Sequence, residues 1–144
     1  MSVNSNAKGK RGEREVVNLI NRSLGTNFRR TPNSGGLSFK GDVIDVNVDN
    51  PLYDFHIEIK NTKILNIPSW MKQIHRDIPL GKRPLLIFKH RAKYHTALEL
   101  RDLLHLVKTN MELKEQYELH LVKANIELKE RINELTEQLN NEHN

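Results

Sequence analysis

The sequence predicts a mixed α/β domain followed by a long C-terminal helix, and three observations carry that prediction. Between residues 10 and 88, two segments of helical periodicity alternate with four short strand-like segments, an order typical of a sheet flanked by helices. Residues 99–139 contain neither glycine nor proline and are rich in leucine, glutamate and lysine, as one long helix requires. The charge also divides: residues 1–97 hold 17 basic and 8 acidic side chains, a net charge of +9, whereas residues 98–144 hold 6 and 10, a net charge of −4.

Length and composition limit what the chain can be. Its 144 residues suffice for one compact domain of ordinary size. The absence of cysteine excludes disulfides and thiolate metal sites and suits a reducing cytosol. No window approaches the roughly 18 uncharged apolar residues of a membrane span, and the N-terminus lacks the apolar segment of a secretory signal. The basic first part is expected to meet a polyanion.

The N-terminal third contains one predicted helix and one predicted strand. Residues 1–8 are small and polar and are expected to form a disordered arm. Residues 10–24 show apolar side chains at helical spacing, and Gly25 supplies a natural C-terminal stop. Residues 26–32 predict a short strand, and the cluster at 33–36 predicts a flexible turn.

The central segments predict two more strands, a helix and a buried strand. Residues 42–48 alternate in polarity, and residues 55–60 put Phe55, Ile57 and Ile59 on one face of a strand. Residues 67–78 carry an apolar stripe at intervals of four, which predicts a helix with one face inward. The short apolar run at residues 85–88 is typical of a central buried strand.

The long C-terminal helix carries a seven-residue repeat. Nine of the twelve seam positions are apolar, which predicts a coiled coil. The seam consists of Leu100, Val107, Lys114, Leu121, Leu128 and Leu135, with Leu104, Met111, Glu118, Asn125, Ile132 and Leu139. Residues 106–115 recur as residues 121–130 with eight of ten identities, and this fifteen-residue period predicts a local irregularity in the supercoil. A single amphipathic helix folded against the domain is the alternative.

Glu58, Lys60 and Asp42 form the candidate chemical site. Side chains at i and i+2 of a strand project from the same face, so Glu58 and Lys60 point together. Asp42 begins the preceding strand, and a short hairpin-like connection would bring it beside Glu58. Two carboxylates at a strand edge are the hard oxygen ligands that Mg²⁺ or Mn²⁺ prefers. A neighbouring lysine can handle a metal-bound water or neutralise a phosphate.

Around these residues the chain resembles the PD-(D/E)xK nucleases, and within them the Holliday junction resolvases of archaea and phages. The resemblance covers residues 8–90, and its four segments follow the family's order. They are Lys8-Gly9-Lys10-Arg11-Gly12-Glu13-Arg14-Glu15, Phe28-Arg29-Arg30-Thr31-Pro32-Asn33-Ser34-Gly35-Gly36, Gly41-Asp42-Val43 and Ile57-Glu58-Ile59-Lys60. It implies a restriction-endonuclease-like core, a mixed sheet flanked by helices, over residues 9–98, and leaves the helix at 99–144 outside.

The resemblance also implies a role for each site residue. Asp42 and Glu58 correspond to the two strand-borne metal ligands, and Lys60 corresponds to the catalytic lysine. Glu13 corresponds to the helix carboxylate that completes the metal site directly or through water. Mg²⁺ is the implied cofactor, with Mn²⁺ as a substitute. The implied DNA-binding positions are Lys10, Arg11, Arg14, Arg30, Ser34 and Gly35.

Two assignments have a rival carboxylate. Glu15 lies two residues from Glu13 and about 200° around the helix, so only one of them can face the site, and Glu13 is expected. Asp45 is the alternative to Asp42, although strand alternation puts it on the opposite face.

Three further positions bear on the site. Gln73 of the second helix could touch it, although a solvated surface position is expected. His56 is expected to flank the polar face of its strand, and no histidine pair has the spacing of a zinc site. Gly41 stands where the motif's name has a proline, which puts the local backbone shape in question.

The predicted function is a metal-dependent endodeoxyribonuclease, most specifically a junction-resolving enzyme that acts as a homodimer on branched or duplex DNA. A dimer supplies two active sites for two symmetric nicks, and the C-terminal helix offers one means of pairing. The alternatives are a nicking, flap or degradative nuclease of the same fold, and a non-catalytic DNA-binding coiled-coil protein. The expected location is the cytoplasm of a prokaryotic cell or phage-infected host, with no membrane partner.

Overall fold

A computed structural model describes residues 5–31, 41–44 and 49–142, and within these ranges the chain forms three helices and five strands. In chain order they are α1 (Ser5–Leu24), β1 (Arg29–Arg30), β2 (Val43–Ile44), β3 (Phe55–Lys60), α2 (Ile67–Asp77), β4 (Arg83–His90), β5 (Lys93–Ala97) and α3 (Leu100–Glu142). The chain divides into two compact units, Met1–Glu99 and Leu100–Asn144. The mixed α/β prediction is confirmed for the first unit, and the predicted long helix for the second.

A three-stranded mixed sheet in the order β3-β4-β5 forms the frame of the first unit. β3 runs parallel to β4, with Lys60 opposite Phe88, and β5 runs antiparallel to β4. β1 and β2 form a separate antiparallel pair in which Arg29 lies opposite Ile44. Since β4 is the central strand, β3 has one edge that is open to groups from outside this sheet.

The parallel strands β3 and β4 are buried on both faces, as is typical of parallel pairs. One apolar cluster joins Val16 of α1 to Ile57, Ile59 and the other buried side chains on that face of β3 and β4. The second cluster joins Ile74 of α2 to Leu86 and Phe88 of β4. Leu85 to Phe88 are all buried, which confirms the prediction of a central buried strand from its continuous apolar run.

Helix α1 begins earlier than the sequence predicts. Ser5 is its first residue, so residues 5–8, expected in the arm, are helical, whereas residues 1–4 lie outside the described part of the chain. A contact distant in sequence holds this first part of the helix: Asn61 Nδ2 donates a hydrogen bond to the carbonyl oxygen of Lys8 at 3.0 Å. Gly12 allows this approach, because a Cβ atom there would lie 2.8 Å from the Cβ of Asn61.

Helix α2 follows its sequence signals closely. The side chain of Asn66 caps its N-terminus by accepting a hydrogen bond from the Ser69 backbone N–H at 3.2 Å, and proline occupies the first turn. Ile74 of the predicted inward stripe is completely buried. Trp70 packs near Phe88 of β4, with ring centroids 6.1 Å apart. The apolar stripe of α2 therefore packs against the face of the sheet that carries Glu58 and Lys60.

The strands differ from the predictions in two respects. β5 is absent from the predicted order, because its two-residue turn is Arg91-Ala92 rather than the glycine or asparagine that signals a hairpin. β1 takes up only Arg29–Arg30 of the strand expected at 26–32. For the strand expected at 42–48, β2 covers Val43–Ile44, and residues 45–48 lie outside the described ranges, as does the predicted turn at 33–36.

Helix α3, 43 residues long, makes up the described part of the second unit. The nine apolar seam residues are between 44% and 69% exposed. Among the residues that the structure describes, no helix is both long and apolar enough to cross a membrane.

Candidate active site

The open edge of β3 brings the predicted catalytic residues together. Alternation along the strand turns Ile57 and Ile59 toward α1, so Glu58 and Lys60 face α2. Glu58 is buried, with 8% of the residue exposed. A carboxylate at this depth requires hydrogen-bond partners or a cation, because burial penalises its charge.

Asp42 is fastened to that edge by its backbone and by its side chain. Its N–H donates to the carbonyl oxygen of Ile57 at 3.1 Å, and its own carbonyl oxygen accepts from the N–H of Thr31 at 3.0 Å. The Ile59 N–H donates to Asp42 Oδ2 at 2.7 Å. The carboxylate thus takes the place of a strand partner on β3, which fixes it beside the strand that carries Glu58 and Lys60.

The backbone conformation at Gly41 explains why glycine stands where the motif's name has a proline. Its φ is +127°, a conformation that proline cannot adopt. A Cβ atom there would lie 2.9 Å from Cε1 of His56. His56, expected at the flank of the polar face, is instead buried against Gly41, and burial lowers its pKa. The imidazole ring therefore packs beneath the backbone segment that carries Asp42.

Replacing Gly41 with alanine is expected to destabilise the fold by about 2–4 kcal/mol, from backbone strain together with overpacking against His56. Urea unfolding followed by circular dichroism measures the loss. Gly81→Ala is the matched control, since Gly81 has φ +83° with open space around it and incurs the strain alone. If the two substitutions cost the same, the contact with His56 contributes nothing.

Glu58, Lys60 and Gln73 form a closed hydrogen-bonded triangle. Lys60 Nζ donates to Glu58 Oε1 at 2.5 Å and to Gln73 Oε1 at 3.0 Å. Gln73 Nε2 donates to the same Glu58 oxygen at 3.1 Å. The expectation that Gln73 is a solvated surface residue is wrong. Its place in sequence beside the buried Ile74, on the edge of the apolar stripe of α2, is the signal that could have found it.

Glu13 and Glu15 face different parts of the protein. Glu13 Oε2 accepts a hydrogen bond from Arg30 Nη1 at 3.1 Å, which joins α1 to β1. Glu15 instead binds Lys89 and Tyr94, with its oxygen 2.8 Å and 2.6 Å from their polar atoms. Because these partners hold Glu15 away from the candidate active site, Glu13 is the helix carboxylate nearer to Asp42 and Glu58.

The electrostatics of the site centre on Asp42. The pKa of its carboxyl is raised to about 7, chiefly by burial and in addition by the negative charges of Glu58 and Glu13. The Ile59 N–H and the positive charge of Lys60 act in the opposite direction. Three carboxylates therefore act on one another, and Lys60 and Arg30, which are bonded to Glu58 and Glu13, neutralise them only in part. A bound divalent cation is favoured in such a setting.

The donor set fits magnesium better than a softer ion. Asp42 and Glu58 supply carboxylate oxygens, and Mg²⁺ commonly binds one or two carboxylates while keeping water and phosphate as its other ligands. Within the described ranges, no three histidine, cysteine, aspartate or glutamate side chains are grouped as a metal-binding set. Glu13 is therefore not grouped with the other two, and its contribution through water stays a prediction.

The predicted DNA-binding residues divide between α1 and the segment after β1. Lys10, Arg11 and Arg14 are exposed on α1, where Arg14 Nε donates to the Lys10 carbonyl oxygen at 3.3 Å. Arg30 is engaged with Glu13. Ser34 and Gly35 lie outside the residues that the structure describes.

Two comparisons with known proteins return a match. A family model described as "Phage putative PDDEXK endonuclease" matches residues 4–143. Protein D14 of Escherichia phage T5 is 30% identical over 120 aligned residues, which cover 71% of the chain and 75% of that protein. No solved structure matches the chain significantly. The family match includes α3, the part that the resolvase resemblance leaves out.

Proposed function

The chain belongs to the family of phage PDDEXK endonucleases, and on that premise we propose that it hydrolyses phosphodiester bonds in DNA with Asp42, Glu58 and Lys60. The observation that supports the proposal is their meeting at the open edge of β3. Asp42 accepts a backbone hydrogen bond from that strand, and Glu58 and Lys60 are bonded to each other on it. A purely structural ion pair between Glu58 and Lys60 would not need the half-buried carboxylate of Asp42 beside it.

The two carboxylates suit the main requirement of this chemistry. A phosphodiester is negatively charged and repels nucleophiles, so its hydrolysis depends on charge neutralisation and on an in-line water. Asp42 and Glu58 would hold Mg²⁺, or Mn²⁺ in its place. When bound, the ion supplies positive charge against the phosphate and lowers the pKa of a water molecule.

Lys60 is the group that would act on the attacking water or on the phosphate. Its ammonium lies between Glu58 and Gln73 and its side chain is 19% exposed, so it is held in place yet reachable. Gln73 is a positioning residue, because it holds both Lys60 and Glu58 and lies on the rigid helix α2. This support fixes the lysine relative to the carboxylates.

Arginine and lysine side chains near this edge would hold the DNA strand. Arg30 next to Glu13 and Arg14 on the exposed side of α1 are assigned to phosphates that flank the scissile bond, with Lys10 and Arg11 beside them. Ser34 and Gly35 are assigned to the same strand by the family resemblance alone. Contacts of this kind fix position without reading base sequence, so cleavage is expected to follow DNA structure more than sequence.

Four-way junctions are the proposed preferred substrate, with nicked, flapped or linear duplex DNA as the alternatives. A panel of labelled junction, flap, nicked duplex, linear duplex and single strand, each incubated with Mg²⁺ and then with EDTA, tests the proposal. Paired symmetric nicks in the junction are the expected result. Cleavage of the other substrates alone rejects the junction preference, and no metal-dependent cleavage of any substrate rejects the nuclease assignment.

The exposed seam of α3 supports a homodimer through this helix. Helices in proteins gain most of their stability from packing an apolar face against a partner, yet the nine apolar seam residues are between 44% and 69% exposed in one chain. A second copy presents the same stripe, so pairing two helices as a coiled coil would bury both. The seam is weakest where Lys114, Glu118 and Asn125 interrupt it.

Deleting residues 105–144 is expected to change the mass in solution from about twice 16.8 kDa to that of a shortened monomer, because the proposed seam is removed. Sedimentation velocity measures the change. A full-length variant, Leu128→Glu with Leu135→Glu, should do the same, whereas the off-seam pair Leu113→Glu with Leu119→Glu should remain dimeric. An unchanged dimer after the deletion would place the pairing in the first unit.

A further inference from the structure

A groove lined mainly by basic side chains lies on the first unit, apart from the carboxylates. Its volume is about 500 Å³, and the N-terminal part of α1, the segment after β3 and the β4–β5 turn form its walls. We call it the basic groove. Its lining residues are Lys8, Arg11, Glu15, Asn61, Thr62, Lys63, Lys89, His90, Arg91 and Ala92.

The groove holds a large excess of positive charge. Five of its lining residues are lysine or arginine and one is acidic, so the formal excess is four charges with histidine neutral. The acidic residue, Glu15, is ionised: hydrogen bonds from Lys89, Tyr94 and Arg11 lower its pKa to about 2. Glu15 thus neutralises only part of the positive charge of the groove, because its single negative charge is shared between Lys89 and Arg11.

The other three basic side chains of the groove are positioned to bind an anion from outside the protein. Within the ranges that the structure describes, Lys8, Lys63 and Arg91 form no ion pair, and Lys63 and Arg91 are exposed. Like charges around one concavity repel each other and raise the local concentration of counter-ions. A polyanion that entered the groove would relieve that repulsion at several positions together.

The turn between β4 and β5 adds an independent observation. Arg91 and Ala92 both have positive φ, 47° and 65°, in a two-residue turn where glycine and asparagine are the favoured residues. Each left-handed non-glycine residue costs roughly 1–2 kcal/mol. Strain of this kind is often retained at functional positions, and here it holds an arginine at the edge of the groove.

The elements that carry the candidate active site, α1 and β3, also lead into the groove, with Asn61 turned toward α1 and Lys60 toward α2. Asn61 directly follows Lys60, and Arg11 precedes Glu13 by two residues. We propose that the basic groove binds backbone phosphates of the DNA substrate beyond the scissile bond, an inference that rests on the proposed nuclease function. The new residues are Lys8, Lys63, Lys89 and Arg91, and the contacts are to phosphate rather than to bases.

The salt dependence of DNA binding tests this proposal without any cleavage. Binding of a labelled 30-base-pair duplex is measured by fluorescence anisotropy in EDTA between 50 and 300 mM salt. Each phosphate contact contributes about 0.9 to the slope of log K against log[salt]. The variant Lys63→Gln with Arg91→Gln is therefore expected to reduce that slope by about 2 and to weaken binding at least tenfold.

A matched control removes the same charge elsewhere. Lys123→Gln with Lys129→Gln changes two exposed lysines of α3 that lie off the seam, and its salt slope should stay within 0.5 of the unaltered protein (roughly half of one contact). An unchanged slope in the groove variant, or an equal reduction in both variants, overturns the proposal.

A second readout separates the groove from the nuclease assignment. Cleavage of duplex DNA and of bis(p-nitrophenyl) phosphate is compared in Mg²⁺, because the small diester is too short to span the site and the groove together. The groove variant is expected to lose at least ten times more kcat/KM on the duplex than on the small diester. If the unaltered protein cleaves neither of these substrates nor any DNA of the panel above, the nuclease proposal fails, while the anisotropy slopes still decide whether the groove binds DNA.

Discussion

Replacing Asp42 with asparagine is expected to reduce metal-dependent DNA cleavage by on the order of 10³-fold, because several kcal/mol of transition-state stabilisation pass through the metal site. Asparagine retains an oxygen that can accept the Ile59 N–H, so the fold should persist. Binding to duplex in EDTA should be equal or tighter, since a negative charge near the phosphate is lost. Cleavage in Mg²⁺ and anisotropy in EDTA measure the two effects.

Two aspartates serve as controls for this substitution. Asp54→Asn removes the same charge at an exposed position just before β3 and should leave cleavage within about twofold, as surface changes usually do. Asp45→Asn tests the alternative carboxylate. A large loss of cleavage in Asp45→Asn together with an active Asp42→Asn would reverse the assignment.

The stability of the metal-free protein gives a further check on Asp42. Its carboxyl keeps its proton up to a pKa of about 7 in the folded state but releases it near 3.8 when unfolded. The folded state therefore binds more protons between these values, so the free energy of unfolding falls as the pH rises from about 4 to about 7. Urea unfolding in EDTA should show a decline of at most about 4 kcal/mol that Asp42→Asn lacks.

Replacing Lys60 with methionine is expected to lower cleavage by on the order of 10²- to 10⁴-fold, the range for loss of a positioned acid–base group. Methionine keeps the length and apolar stem of the side chain but loses the bonds to Glu58 and Gln73. Single-turnover cleavage in Mg²⁺ measures the loss. Lys72→Met, at an exposed position one residue before Gln73, is the control and should cleave normally.

Lys60→Arg separates the two ways in which the lysine could act. Arginine retains the positive charge but cannot release a proton in a protein. A cleavage rate within tenfold of that of the unaltered protein would show that Lys60 acts by neutralising the charge of the phosphate. A rate as low as that of Lys60→Met would show that it acts on the attacking water. Near-normal cleavage by Lys60→Met would remove Lys60 from the catalytic residues.

Much of the secondary structure was accessible from local patterns. The alternation of residues 55–60 predicts that Glu58 and Lys60 share a face, because side chains on a strand alternate whatever the strand packs against. The apolar run of β4, the capped and amphipathic helix α2 and the uninterrupted α3 likewise depend on local signals. β5 escaped prediction because its turn, Arg91-Ala92, has strained residues in place of the usual ones.

The parts that local patterns missed depend on contacts distant in sequence. The early part of α1 is bonded to Asn61, 53 residues beyond Lys8. Gln73 joins the site because α2 packs its buried stripe on the sheet and so brings the neighbouring amide to Glu58. His56 lies where a side chain at position 41 would be, so only glycine fits there. None of these partners has a fixed spacing from the residue it explains.

For the site itself, the sequence alone was enough to predict an acidic and basic face on one strand and, with the family resemblance, a nuclease. Only the tertiary structure separated the two helix carboxylates: Lys89 and Tyr94 bind Glu15, while Arg30 binds Glu13. The reason is physical. Alternation depends on the geometry of one strand, whereas a charged side chain is assigned by the partners that surrounding elements bring to it.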